Sequence, residues 1–107
     1  IDKTCDLAQY LKTKVDAEPE LEMRAPVALN VVCFRYRGNR VATVEQLNEV
    51  NAAIIADLHE SGLVAPSATS IHGHIAIRAA MVNHRIEQRN VDILIEQVLR
   101  LGRLKLL

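Results

Sequence analysis

The 107 residues make one ordinary domain, with no room for two. Half the chain is hydrophobic and 24% is charged, which suits a folded globular protein and excludes a disordered one. Thirteen Lys and Arg offset thirteen Asp and Glu, so bulk positive charge is not available to hold nucleic acid, although a local patch stays open. No apolar run reaches the roughly 20 residues of a membrane helix. The opening Ile1-Asp2-Lys3-Thr4 is neither basic nor followed by an apolar stretch, so it has no signal-peptide pattern. A chain that begins at Ile and enters helical pattern at once is expected to be a piece of a longer protein.

The segment to about Val15 carries Leu7, Tyr10, Leu11 and Val15 near helical spacing, which predicts a helix with one apolar face. Asp16-Ala17-Glu18-Pro19 ends it, since proline disfavours the α conformation at the residue before it. Glu20-Leu21-Glu22-Met23-Arg24 alternates charged and apolar residues, the pattern of a half-buried strand. Ala25-Pro26 interrupts it. Leu29 to Arg37 is the strongest strand in the chain. Because Val31, Val32, Cys33 and Phe34 are apolar without a break, both faces of that strand are expected to be covered. Gly38-Asn39 closes it as a turn.

Thr43-Val44-Glu45-Gln46 fits a capping box, and Leu47, Val50, Ile54, Ile55 and Leu58 follow at helical spacing, with Ser61-Gly62 as the stop. Leu63 to Pro66 reads as a connector. Ser67 to Ile71 and Ile75 to Val82 read as two strands joined around His72-Gly73. A last helix spans about Glu87 to Leu101, with Val91, Leu94, Ile95, Val98 and Leu99 on one stripe and Gly102 at its end. The tail from Arg103 to Leu107 fits no element on pattern alone. The order α-β-β-α-β-β-α predicts an α+β sandwich of two layers, a sheet with helices packed on it.

Arg78 stands out among the charged residues. One face of its strand reads Ile75, Ile77, Ala79, Met81; the other reads His74, Ala76, Arg78, Ala80, Val82. Alanines on both sides leave space for a guanidinium, and an arginine buried in such a strand needs a partner, since breaking a buried pair costs about 3–5 kcal/mol. That partner is a ligand carboxylate held bidentately, an internal Asp or Glu, or, at a sheet edge, solvent. Arg35 and Arg37 share a face near the end of their strand, where fraying into solvent is the favoured reading. His72 and His74 flank a tight turn, but two histidines fall short of the three or four ligands of a metal site. His84 and Arg85 follow the arginine-bearing strand, where a chain leaving a sheet often meets a pocket. His59, late in a helix, suits the helix dipole.

Cys5 and Cys33 lack Cys-x-x-Cys spacing and read as small apolar fillers of a reducing cytosol. With no Trp, and only Phe34, Tyr10 and Tyr36 as aromatics, a stacking platform for bases is not expected. There is no Gly-rich phosphate loop and no Gly-x-Ser-x-Gly. Lys3, Lys12, Lys14 and Lys105 sit among polar neighbours, unlike a lysine desolvated for Schiff-base chemistry. No catalytic residue and no metal site is assigned to this chain alone.

Three stretches in order carry a resemblance: Leu29-Asn30-Val31-Val32-Cys33-Phe34-Arg35-Tyr36, Glu60-Ser61-Gly62-Leu63-Val64-Ala65-Pro66-Ser67, and Ile77-Arg78-Ala79-Ala80-Met81-Val82-Asn83-His84-Arg85. Together with Asp92 to Gly102 they resemble, over essentially the whole chain, the carboxy-terminal domain of group II pyridoxal-phosphate-dependent amino-acid decarboxylases. The resemblance implies a small domain, residues 1–107, of a fold-type-I carboxy-lyase. A large domain of the same chain would carry pyridoxal phosphate (PLP) and the Schiff-base lysine. It also implies an amino-acid substrate and a homodimeric parent; the cysteines, the balanced charge and the short apolar runs add the expectation of a cytoplasmic protein with no nucleic-acid or membrane partner. Carried over from glutamate-decarboxylating relatives, Arg78 contacts a substrate carboxylate, with a role in the domain interface as the alternative. Glu87 departs from the small Thr or Ser cap that relatives commonly have there. A detached decarboxylase domain should expose a broad apolar face. The competing reading is a free-standing α+β module that binds a small regulatory molecule.

Overall fold

The computed structural model describes residues 3–58 and 64–106. Its elements are α1 (Lys3–Ala17), β1 (Leu21–Met23), β2 (Val31–Tyr36), α2 (Val44–Asp57), β3 (Val64–Ile71), β4 (His74–Met81) and α3 (Gln88–Lys105). This is the α-β-β-α-β-β-α order that the hydrophobic periods predict. The four strands form one antiparallel sheet in the order β1-β2-β4-β3.

All three helices pack on a single face of that sheet. Register aligns Phe34 with Ile77 and Val32 with Ala79, while Met23 and Leu21 of β1 face Phe34 and Tyr36. Those side chains meet Leu11 and Val15 of α1, Ile54 of α2, and Val91 and Val98 of α3 in one aliphatic core. Full burial of each large member is worth about 1.5–3 kcal/mol. The other sheet face has no helix on it, so Val31 and Cys33 are only half-buried. Within this chain, then, helices cover one face of β2, and the second cover that its unbroken apolar run predicts does not come from these elements.

Local chemistry sets the boundaries. Thr43 caps α2 as the box predicts: its Oγ1 accepts from the Gln46 N–H at 3.1 Å, and the Gln46 side chain accepts from the Thr43 N–H at 2.8 Å. The stop read at Ser61-Gly62 and the dipole role read for His59 lie outside the described residues. Val64 to Pro66, read as a connector, belong to β3. Pro66 is tolerated because β3 is an edge strand, where a missing ladder donor costs little. His72 (φ 52°) and Gly73 (φ 81°) make the tight turn into β4, and Asn48 of α2 pins it, donating to the Gly73 carbonyl at 3.0 Å and accepting from the Ile75 N–H at 2.8 Å.

Helix α3 starts after Glu87, whose N–H donates to the Asn90 side chain at 2.8 Å, so the unusual cap does not delay the helix. Gly102 does not end it. The helix runs on to Lys105, and glycine is there because the ring of Tyr36 lies against it: an added Cβ would sit 2.5–2.7 Å from three ring carbons. Residues 103–106 thus belong to the fold.

Two polar groups hold the Tyr36 end of β2. Asn51, fully buried on α2, accepts from the Tyr36 N–H (2.8 Å) and donates to the carbonyls of Tyr36 (2.9 Å) and Leu47 (2.8 Å). Its side chain continues the hydrogen bonding of β2 past the end of the β2–β4 ladder. The Tyr36 hydroxyl donates to Glu20 at 2.9 Å, and Arg103 holds the same carboxylate through Nε and Nη2. Burial, then the bond to Glu20, pushes the Tyr36 hydroxyl up to about 12.

The hydrogen bond from Arg103 holds the Glu20 carboxyl below its ordinary value, against the cost of burial. A depressed folded pKa stabilises the fold above the unfolded value and loses that contribution as pH falls through the folded one. Urea midpoints of the wild-type chain should therefore drop on acidification from neutral to about pH 3. In Glu20→Gln the neutral-pH midpoint should be lower and its fall shallower; an unchanged acid slope would remove Glu20 from the linkage.

Candidate functional site: the open face of the sheet

Alternation places Val31, Cys33 and Arg35 of β2 and His74, Ala76, Arg78 and Ala80 of β4 on the face away from the helices. Register then orders them in rows across the strands. One row runs Ser67, Arg78, Cys33 and on to Arg24, whose N–H donates to the Cys33 carbonyl at 2.9 Å. Adjacent strands are about 4.8 Å apart, so the backbones of Arg24 and Arg78 stand about 10 Å apart with Cys33 between them. The next row pairs Glu22 with Arg35 and Thr69 with Ala76.

Around Glu22 the charges are already satisfied in part. Its Oε1 accepts from Arg24 Nη1 at 2.8 Å and from Arg35 Nε at 3.0 Å. Arg35 Nη1 stands 2.6 Å from His74 Nδ1. A guanidinium only donates, so this histidine nitrogen accepts and the ring is neutral with its proton on Nε2. Burial lowers the His74 pKa first, and the charges of Arg35 and Arg24 lower it further. Burial acts against the Glu22 carboxylate, but the bond from Arg24 and the charge of Arg35 outweigh it and hold the group below its ordinary value. Arg35 is thus buried and paired, correcting the reading that it frays into solvent; Arg37 is exposed as expected.

Arg78 differs from Arg35. Its side chain is exposed, and among the described residues it makes no side-chain hydrogen bond or ion pair. Its small neighbours Ala76 and Ala80 leave the guanidinium clear on both sides along the strand. Its charge acts on the half-buried Cys33, though burial prevails and raises that thiol above its ordinary value. Of the three readings of Arg78, an internal acid partner is excluded among the described residues. The four strands contain one carboxylate, Glu22, and two other arginines already hold it.

Where β4 leaves the sheet, beside the start of α1, lies an open depression of ≈ 450 Å³ lined by Thr4, Cys5, Leu29, Asn30, Met81, Val82 and His84. His84 does lie at a pocket where β4 leaves the sheet. Leu29 holds a left-handed φ of 55° and is 81% exposed, and Val82 is 55% exposed. A bulky residue in that conformation costs of order 1–3 kcal/mol, which the tight Ala28–Val31 turn imposes through reciprocal backbone bonds of 3.1 and 2.9 Å. The face as a whole is not the broad apolar surface expected. Alanines, Ser67 and Thr69 alternate with arginines, and the large apolar groups gather at one end.

Lys12, Lys14 and Lys105 are tied to Asp16, Asp92 and Asp57 on the surface, and Lys3 is exposed. Among the described residues no three His, Cys, Asp or Glu side chains converge. Arg24 escaped sequence reasoning because only the alternation of its strand was visible, not the partners across it. Asn51 escaped because it occupies a slot in an apolar stripe.

Fold and face together define a two-layer α+β domain whose bare sheet face presents an arginine without a partner among the described residues. No family model matches the chain. It is 26% identical over 85 residues to an aromatic-L-amino-acid decarboxylase of Bacillus atrophaeus, covering 79% of this chain and 18% of that protein. It is 25% identical over 105 residues to tyrosine decarboxylase 4 of Petroselinum crispum, covering 85% and 21%. Oryza sativa TDC, solved with PLP and tryptamine, superposes with a TM-score of 0.82 at 21% identity over 97% of this chain and 22% of its own. The chain is therefore similar to the group II PLP-dependent amino-acid decarboxylases and fits their carboxy-terminal small domain. It spans about a fifth of the length of the curated relatives it matches. Nothing in these matches favours a free-standing regulatory module.

Proposed function

We propose that residues 1–107 are the small carboxy-terminal domain of a PLP-dependent amino-acid decarboxylase, and that the open sheet face closes one side of its active site. The observation that carries this reading is Arg78: an exposed arginine with no partner among the described residues, flanked by alanines, on the sheet face without helices. A planar guanidinium so presented grips a carboxylate through two parallel N–H bonds, which fixes its direction as well as its position.

PLP belongs to the larger domain of the parent, where it supplies the electron sink that lets an α-carboxylate leave as carbon dioxide. The work of the small domain is orientation. Arg78 holds a substrate carboxylate, Ala76 and Ala80 leave room for it, and the covered face excludes water from that side. The same reading makes the parent a fold-type-I homodimer of the cytoplasm, in keeping with two free thiols.

The test is carbon dioxide release by the full parent polypeptide, loaded with PLP and supplied with single amino acids. Release from one of them supports the reading. A parent polypeptide that neither binds PLP nor releases carbon dioxide overturns it.

A further inference from the structure

Arg24 is the second arginine on the row of Arg78, and its hydrogen bonding is incomplete. Nη1 donates to Glu22 at 2.8 Å, yet Nε is buried with no acceptor. A buried donor left unmet costs about 1–3 kcal/mol, so the side chain is held in an arrangement that a better acceptor would replace. The only strand carboxylate, Glu22, is shared with Arg35 and cannot serve both guanidinium groups bidentately. With Glu22 set against Arg24, Arg35 and Arg78, the face is net positive on a chain whose formal charge is zero. The surface that covers it should therefore be acidic.

We propose that Arg24 is an interdomain anchor: when the larger part of the parent chain covers this face, it brings a carboxylate that draws the Arg24 guanidinium into a two-pronged bond. This rests on the reading that the open face is covered by the remainder of the same chain, whose relatives are about five times longer than this piece. Arg24 and Arg78 then divide the row between them, Arg24 closing the interface and Arg78 meeting the substrate.

Cys33, between the two arginines, is a built-in reporter. In the full parent polypeptide, the rate at which a maleimide modifies Cys33 is followed by mass spectrometry of its peptide, in native and in urea-unfolded protein. Cys33 should be strongly protected in the native parent. Arg24→Gln should raise its native labelling about tenfold, the effect of removing one charge-assisted bond from the closed state. Arg100→Gln, which removes an equal charge from the exposed side of α3, should leave it unchanged.

Protection that Arg24→Gln does not relieve overturns the anchor while leaving the covered face intact. Native labelling as fast as in the unfolded protein overturns both. Should Arg24→Gln fail to fold, a salt series on the wild-type parent decides. Faster labelling with rising ionic strength supports an ionic closure, and a flat response overturns it.

Discussion

On the proposed function, replacing Arg78 by Gln in the parent polypeptide is expected to lower kcat/KM by about 10- to 100-fold, the worth of a hydrogen-bonded charge at 1.5–3 kcal/mol. Gln is shorter, carries no charge and offers two N–H donors in place of five. Arg78→Lys keeps the charge and loses the fork, so it should recover only part of the activity. Stability should move by no more than about 0.5 kcal/mol, because the exposed Arg78 side chain contributes no bond to the fold among the described residues. Steady-state kinetics and a urea midpoint on the same preparations check both halves. Unchanged kcat/KM would remove Arg78 from the substrate site, and a large loss of stability would return it to a structural role.

Gly102→Ala is expected to destabilise the chain by about 1–3 kcal/mol, although the same exchange in an exposed helix interior gains about 1 kcal/mol. The new methyl would lie 2.5 Å from Tyr36 Cδ1 and 2.6 Å from Cγ. The ring cannot swing away cheaply. Its hydroxyl is bonded to Glu20, Glu20 to Arg103, and its backbone to Asn51. Two-state urea unfolding of Gly102→Ala against wild type measures the cost. A midpoint at or above wild type would mean that the helix and ring separate more readily than their contacts allow.

Element order and the inward-facing residues were legible because both periods were clean: Leu47, Val50 and Ile54 for a helix, Ile75, Ile77, Ala79 and Met81 for a strand. What periodicity cannot carry is the third dimension. Val31 to Phe34 look the same whether one or two layers of helix cover them. Pro66 argues against a central strand but is silent about an edge. Gly102 signals a helix end wherever contacts are unknown, and the Tyr36 ring that explains it lies 66 residues earlier in the chain. At the site, the isolation of Arg78 among alanines was visible in one strand. The fate of Arg35 depended on Glu22 and His74 from two other strands, so spacing along its own strand pointed the wrong way.

The one-sided build separates two kinds of selection on this domain. Substitutions beneath the helices act on every packed neighbour, whereas Ser67, Thr69 and Arg78 stand on the bare face and can change with little effect on the core. Specificity for the group that meets this face can drift while the scaffold stays fixed. A library confined to those three positions should therefore remain largely folded and, on the proposed function, alter which acids the parent accepts.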